Sequence, residues 1–169
     1  AATLWHAEGP ANLKDSAKAG NKAQPLSVEG EIDKKFSALV LDATGLNDTT
    51  DLRAVYDFYH PTIRRLASCG RVLVIGQEPA TCKAPAKAAA HRALEGFTRA
   101  VGKEVGKKGA TANLLYMAPG AEKQLDSSIR FFLSARSAYV SGQVARVGKS
   151  SEAPATNPVA PLAGKVALV

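Results

Sequence analysis

Between residues 37 and 147, short runs of branched apolar side chains alternate with longer stretches of helical periodicity. Ser37 to Ala43 (SALVLDA) is closed by Thr44-Gly45, and Arg71 to Ile75 (RVLVI) by Gly76. Thr111 to Met117 (TANLLYM) is closed by Pro119-Gly120, and Tyr139 to Val147 (YVSGQVARV) is interrupted by Gly142. Runs this short and this apolar predict strands buried on both faces. Between the first two, Leu52, Val55, Tyr59, Ile63 and Leu66 recur at three- and four-residue steps, one face of a helix. Asn47-Asp48-Thr49 offers N-cap chemistry before it, and Pro61 is expected to kink or divide it. A longer helix, from about Ala86 to Lys107, sets Ala90, Ala93, Leu94, Phe97, Val101 and Val105 on one face and ends at Gly106 and Gly109. Leu125, Ile129, Phe132 and Leu133 mark a third. Strands alternating with helices at these lengths predict an α/β three-layer sandwich around a mostly parallel sheet, with right-handed crossovers.

The flanks read differently. Residues 1–36 form a poorly defined N-terminal part, in which Lys14 to Gln24 is polar and loop-like around Gly20-Asn21. The α/β core covers 37–148. Lys149 to Pro161 (KSSEAPATNPVAP) has the Ser, Ala and Pro content of a semi-extended linker, and 162–169 opens a new strand. The chain begins on Ala1 rather than methionine and stops on the apolar Val166-Ala-Leu-Val169, which reads as a segment of something longer. No apolar run approaches the roughly 18–20 residues of a membrane helix, so no membrane partner is expected. The net charge of +7 would suit a polyanion, but the cations are scattered as Lys34-Lys35, Arg64-Arg65 and Lys107-Lys108, with no aromatic residues between them. No nucleic-acid partner is expected. Cys69 and Cys82 lack CxxC spacing and a nearby histidine cluster; two free thiols in a reducing cytoplasm follow, with no metal site.

Open parallel sheets bind ligands at the carboxyl ends of their strands. A dinucleotide there needs a glycine-rich turn so that backbone can approach the pyrophosphate, and no GxGxxG, P-loop or GxSxG occurs. Gly45, Gly76 and Gly120 stand alone and read as turn residues. Asp42 follows a strand at the ligand-binding edge, where catalytic carboxylates and turn-capping residues both sit. His6 falls in the weak N-terminal part, His60 precedes Pro61 on a surface or cap, and neither has a carboxylate spaced for a relay.

These elements resemble the second half of a short-chain dehydrogenase/reductase, particularly the 3-oxoacyl-(acyl carrier protein) reductases. Arg71-Val-Leu-Val-Ile-Gly-Gln77 is similar to that family's strand leading to the catalytic serine. Ala93-Leu-Glu-Gly-Phe-Thr-Arg-Ala100 resembles its central helix, and Ala118-Pro119-Gly120 its loop near the nicotinamide. Tyr139-Val-Ser-Gly-Gln-Val144 is similar to its YVTGQ strand, and Asp42-Ala-Thr-Gly45 stands where the family has NNAG. In that family a tyrosine hydroxyl donates the proton, and a lysine four residues on, on the same helical face, lowers its pKa. Counting back from Gly96-Phe97, the tyrosine position holds Lys87, the lysine position His91, and the serine position Gln77. A lysine and a histidine at i, i+4 offer a proton shuttle in principle, but the resemblance implies degenerate positions and no catalytic residue.

Pro161-Leu-Ala-Gly-Lys-Val-Ala-Leu-Val169 resembles the opening strand of a complete reductase domain. That layout is similar to a high-molecular-weight subgroup of bacterial 3-oxoacyl reductases, whose N-terminal domain is flavodoxin-like, a degenerate Rossmann fold. The resemblance implies a cytoplasmic, non-catalytic accessory domain that binds no cofactor itself. Its partners would be a following reductase domain, which holds NADH or NADPH and reduces an acyl-CoA or acyl carrier protein thioester, and a second copy in a homo-oligomer. Two alternatives stay open: a self-contained flavodoxin-like module binding a nucleotide or coenzyme A, and a pure dimerisation module.

Overall fold

The computed structural model describes residues 3–6, 35–151, 160, 163–164 and 166. Five parallel strands stand side by side in chain order: β1 (Thr3–His6), β2 (Phe36–Asp42), β3 (Leu66–Gln77), β4 (Thr111–Met117) and β5 (Val144–Val147). Three α-helices connect the later ones: α1 (Arg53–Thr62), α2 (Pro85–Gly106) and α3 (Leu125–Leu133). This is the expected α/β sandwich, a Rossmann-like fold. The short run at Thr3–His6, inside the segment read as poorly defined, pairs with β2, with Thr3 opposite Leu39 and His6 opposite Asp42. The expected loop at Lys14–Gln24 lies outside the described residues, as does most of the expected linker and of the strand at 162–169. Within that last stretch Ala163 and Gly164 form a turn and Val166 is irregular.

Alternation of side chains along the strands builds two cores. Leu39, Leu41, Val72, Val74, Ala112, Leu114 and Tyr116 face α1 and α2. Val40, Leu73, Ile75, Leu115 and Met117 face the other way, where Phe132, Leu125 and Ile129 of α3 cover them. The expectation of uniform right-handed crossovers fails on this point. The strands advance across the sheet in one direction, so connections of one hand would put all three helices on one face. With α3 on the face opposite α1 and α2, its crossover must have the opposite hand. The cause is the doubly apolar sheet, whose second face would otherwise stay wet. The turn Ala118-Pro119-Gly120, with Gly120 at φ 79°, redirects the chain after β4.

Several element boundaries also differ from expectation. β3 starts at Leu66 rather than Arg71, so Leu66 ends a connection instead of a helical face. Its pairing with β2 jumps from Phe36–Leu66 to Ala38–Arg71, an irregularity that contains Cys69 at φ 55°. Pro61 does not divide α1; the helix runs one residue beyond it and then tightens into a 3-10 turn at Ile63–Arg65. α2 is rotated, leaving Ala93 exposed and turning His91, Glu95 and Thr98 inward beside Ala90 and Leu94. The last strand begins only at Val144, because Gly142 takes φ 70° and Tyr139 is fully exposed. Buried Asn113 on β4 holds that irregular stretch: its Nδ2 donates to the Val140 carbonyl at 2.8 Å and its Oδ1 accepts from the Gln143 N–H at 3.2 Å.

Candidate functional site at the carboxyl edge of the sheet

The residues read as degenerate site positions lie where β2 and β3 end and α2 begins. Asp42 closes β2, and its Oδ1 accepts from both the N–H (3.0 Å) and the hydroxyl (2.7 Å) of Thr44, an Asx-type turn. Asp42 is therefore occupied as a turn-capping residue. Gln77, half-buried at the end of β3, reaches sideways and donates from Nε2 to the Thr44 carbonyl at 2.8 Å. Its backbone N–H donates to Nδ1 of His91 at 3.2 Å. The structure thus brings Gln77 and His91 together. Lys87 stands one turn earlier on α2, half-buried, and acts on His91 electrostatically.

His91 is completely buried. Because Nδ1 accepts a hydrogen bond, the ring proton sits on Nε2, and Nε2 finds no partner. Burial, followed by the charge of Lys87, depresses the His91 pKa; the Leu46 carbonyl pulls weakly the other way without forming a proper hydrogen bond. Gly76 lets the ring lie against β3, since a Cβ there would stand 2.8 Å from Leu94 Cδ1 and 3.4 Å from His91 Nδ1. The Tyr116 hydroxyl donates to the His91 carbonyl at 2.9 Å. Burial, and then the nearby Glu95 carboxylate, push the Tyr116 phenol up, so it stays protonated. The imidazole of His91 is thus buried, with Nδ1 already accepting a hydrogen bond, while Lys87 one turn earlier is only half-buried.

The ends of β4 and β5 are closed too. Glu78 pairs with Arg146 at 2.6 Å, and the Arg146 guanidinium lies 5.8 Å from the Tyr116 ring centre. The side chain of Lys149 crosses the turn after β4 so closely that a Cβ on Gly120 would stand 2.4 Å from its Cε. A cleft of about 390 Å³ lies beside α1, lined by Gly45, Leu46, Asn47, Asp51, Arg53 and Asp57 among others. Its charges are already spent: Arg53 binds Asp57 at 2.7 Å and Asp51 accepts from the Asn47 N–H at 2.7 Å.

His60 is exposed, as expected, and stacks on Tyr56 with ring centres 4.7 Å apart. Cys69 and Cys82 are free thiols. No cluster of metal ligands occurs among the described residues, and none of their helices is long and apolar enough to cross a membrane. Sequence reasoning missed the Glu78–Arg146 pair, whose members are far apart in the chain. It also missed buried Arg71, whose guanidinium donates to the carbonyls of Cys69 (2.8 Å), Gly70 (3.2 Å) and Ser134 (3.2 Å). No local pattern announces either.

Rossmann-like folds imply a dinucleotide, and these residues do not fit one. The sequence after β1, Ala7-Glu-Gly-Pro-Ala-Asn-Leu13, lies outside the described residues and holds one glycine rather than a glycine-rich run. The described strands keep chain order with no reversal, so no switch-point crevice opens between them. The Gln77 amide, bonded to the Thr44 carbonyl, and the Lys149 side chain, lying against Gly120, fill the carboxyl edge of the sheet.

The fold has many solved counterparts. BdcA in complex with NADPH matches at 17% identity and TM-score 0.65 over 86% of this chain and 82% of that one. A candidate betaketoacyl-ACP reductase matches at 17% identity and TM-score 0.65, covering 88% and 86%. A Serratia marcescens short-chain dehydrogenase/reductase mutant matches at 19% identity and TM-score 0.58; 66% of this chain covers 64% of that protein's length. At these identities the likeness is one of fold. No family model matches the chain, and no curated protein does.

Proposed function

We propose that this chain is a non-catalytic accessory domain of an NAD(P)H-dependent 3-oxoacyl-thioester reductase, serving oligomerisation or substrate access instead of the reaction. One observation carries the reading: on a short-chain dehydrogenase/reductase-like fold, the groups at the family's serine and lysine positions, Gln77 and His91, are consumed in internal hydrogen bonds. The resemblance of Pro161–Val169 to a reductase's first strand supports a following reductase domain that holds NADH or NADPH and takes an acyl-CoA or acyl carrier protein thioester. In this reading the protein is cytoplasmic. Acidic groups lining the α1 cleft argue against a free-standing phosphate-binding module.

Association with a second copy has its own support. The outward face of α2 carries Ala86, Ala89, Ala93, Gly96 and Ala100, all exposed, where a solvated helix would carry long polar side chains. A Cβ on Gly96 would meet nothing within 4 Å, so nothing inside the chain offsets its helix-propensity cost of about 1 kcal/mol. A partner helix packed at close range supplies the missing reason.

The test is titration of the purified chain with NADH, NADPH and acetoacetyl-CoA, combined with sedimentation. No saturable binding at millimolar ligand, no turnover and a dimer are expected. Turnover or tight nucleotide binding would overturn the accessory role, and a monomer at high concentration the self-association. The gene supplies a further check: codons after Val169 that do not spell a TGxxxGxG-like turn would sink the link to a reductase.

A further inference from the structure

We propose that His91 is a proton-operated latch on the carboxyl edge of the sheet. As the neutral ring it fastens the end of β3 to α2 and, through Gln77, the loop after β2; on taking a proton it releases both. The argument rests on hydrogen-bond capacity. Nδ1 accepts from the Gln77 N–H at 3.2 Å, and a protonated imidazole is a donor at both nitrogens, so two donors would face each other. Nε2 has no acceptor to gain from protonation. A charged ring would also be completely buried, with no counter-ion among the described residues, which a protein interior does not tolerate.

Among the described residues, every charged group around the ring leaves it uncompensated. From α2 itself, Lys87 adds a like charge, while Glu95 is held by Arg92 at 2.7 Å and Arg99 at 3.9 Å. From β3, Glu78 is paired with Arg146. From β2, Asp42 is capped by Thr44, and the loop beyond presents only the Leu46 carbonyl. From β4, Tyr116 donates to the His91 carbonyl rather than to the ring.

That last bond decides what moves. Tyr116 ties the His91 backbone to β4, and Leu94 beside it is fully buried, so α2 stays in place. Gln77, Glu78 and Pro79 are only half-buried, and the end of β3 is the part that can yield. Since Gln77 also holds the Thr44 carbonyl, its release frees the β2 loop. The region uncovered is the edge where open parallel sheets meet their ligands. This latch is independent of the accessory role proposed above.

Amide hydrogen exchange on the intact chain, followed by NMR as protection factors, tests it. If opening takes up one proton on a ring whose exposed pKa is about 6.5, the opening constant rises about tenfold between pH 7.5 and 5.5. Gln77 protection should fall by that factor and be insensitive to low urea, as a local opening is, whereas Leu114 in the centre of β4 exchanges by global unfolding and should lose protection steeply with urea. His91→Asn keeps an acceptor near the Nδ1 position and cannot take the proton, so its Gln77 protection should be flat across this range. Should that variant not fold, ring chemical shifts of His91 in the wild-type chain replace it: they should remain those of a neutral ring where Gln77 protection begins to fall and titrate only at lower pH. The proposal is overturned if Gln77 protection is pH-independent, if it falls with urea as steeply as that of Leu114, or if the His91 ring titrates while Gln77 stays protected.

Discussion

Tyr59 and Tyr116 are both buried tyrosines in the core under α1 and α2, but they use their hydroxyls differently. Tyr116 donates to a backbone carbonyl, whereas the Tyr59 hydroxyl has no partner although its ring packs 4.8 Å from Phe58 and 4.9 Å from Phe97. A buried hydroxyl without a partner carries its desolvation cost, so Tyr59→Phe should raise stability by about 1 kcal/mol, read from urea unfolding. The reverse case is Asn113. Removing its side chain strands the Val140 carbonyl and the Gln143 N–H, and Asn113→Ala should cost about 2–4 kcal/mol, detected in the same unfolding series. Neither role was readable in advance. Within TANLLYM, Asn113 is one polar letter in an apolar run, and its two bonds reach about thirty residues along the chain. Asp42 was legible as one of two possibilities, because its turn partner Thr44 is two residues away.

At the level of elements, local signals were good where packing agreed with them and failed where it did not. The length of α2 and the extent of β4 follow from periodicity and flanking glycines, and they lie within a residue of expectation. The buried face of α2 does not, because it is set by what β3 and β4 offer: Tyr116 and the Gln77 N–H draw His91 inward, and Ala93 swings out. The same rotation exposes Gly96. Gly96→Ala should therefore separate two quantities. Helix propensity favours alanine, and a Cβ meets nothing, so the monomer should gain about 1 kcal/mol. If a second copy packs there, the same methyl should weaken the dimer. Denaturation at low concentration and sedimentation equilibrium at high concentration read the two effects, and an unchanged dimer constant would remove Gly96 from any interface.

For the whole molecule, the architecture was legible from the alternation of strands and helices, but the hand of the last crossover was not. That hand is decided by the need to cover a second apolar face, a property of the assembled sheet and not of any segment. Stability against pH is likewise a property of the assembly, and its shape follows from groups the sheet buries at its edge and beneath its helices. His91 has a folded pKa depressed by burial and Lys87. Its contribution is full above the unfolded value of about 6.5 and is lost as pH falls toward the folded one, with a slope of at most about 1.4 kcal/mol per pH unit. Tyr59, raised by burial, and Tyr116, raised by burial and Glu95, act on the other side. Their contributions are full below the unfolded value of about 10 and are lost as pH rises toward the folded ones. Unfolding free energies should thus form a plateau between roughly pH 6.5 and 10, falling on both sides. Two variants assign the slopes. His91→Asn should flatten the acid limb and leave the alkaline one, and Tyr59→Phe should make the alkaline limb shallower without touching the acid one. An acid limb that survives His91→Asn undiminished would place the responsible proton elsewhere and take the buried histidine out of the stability balance.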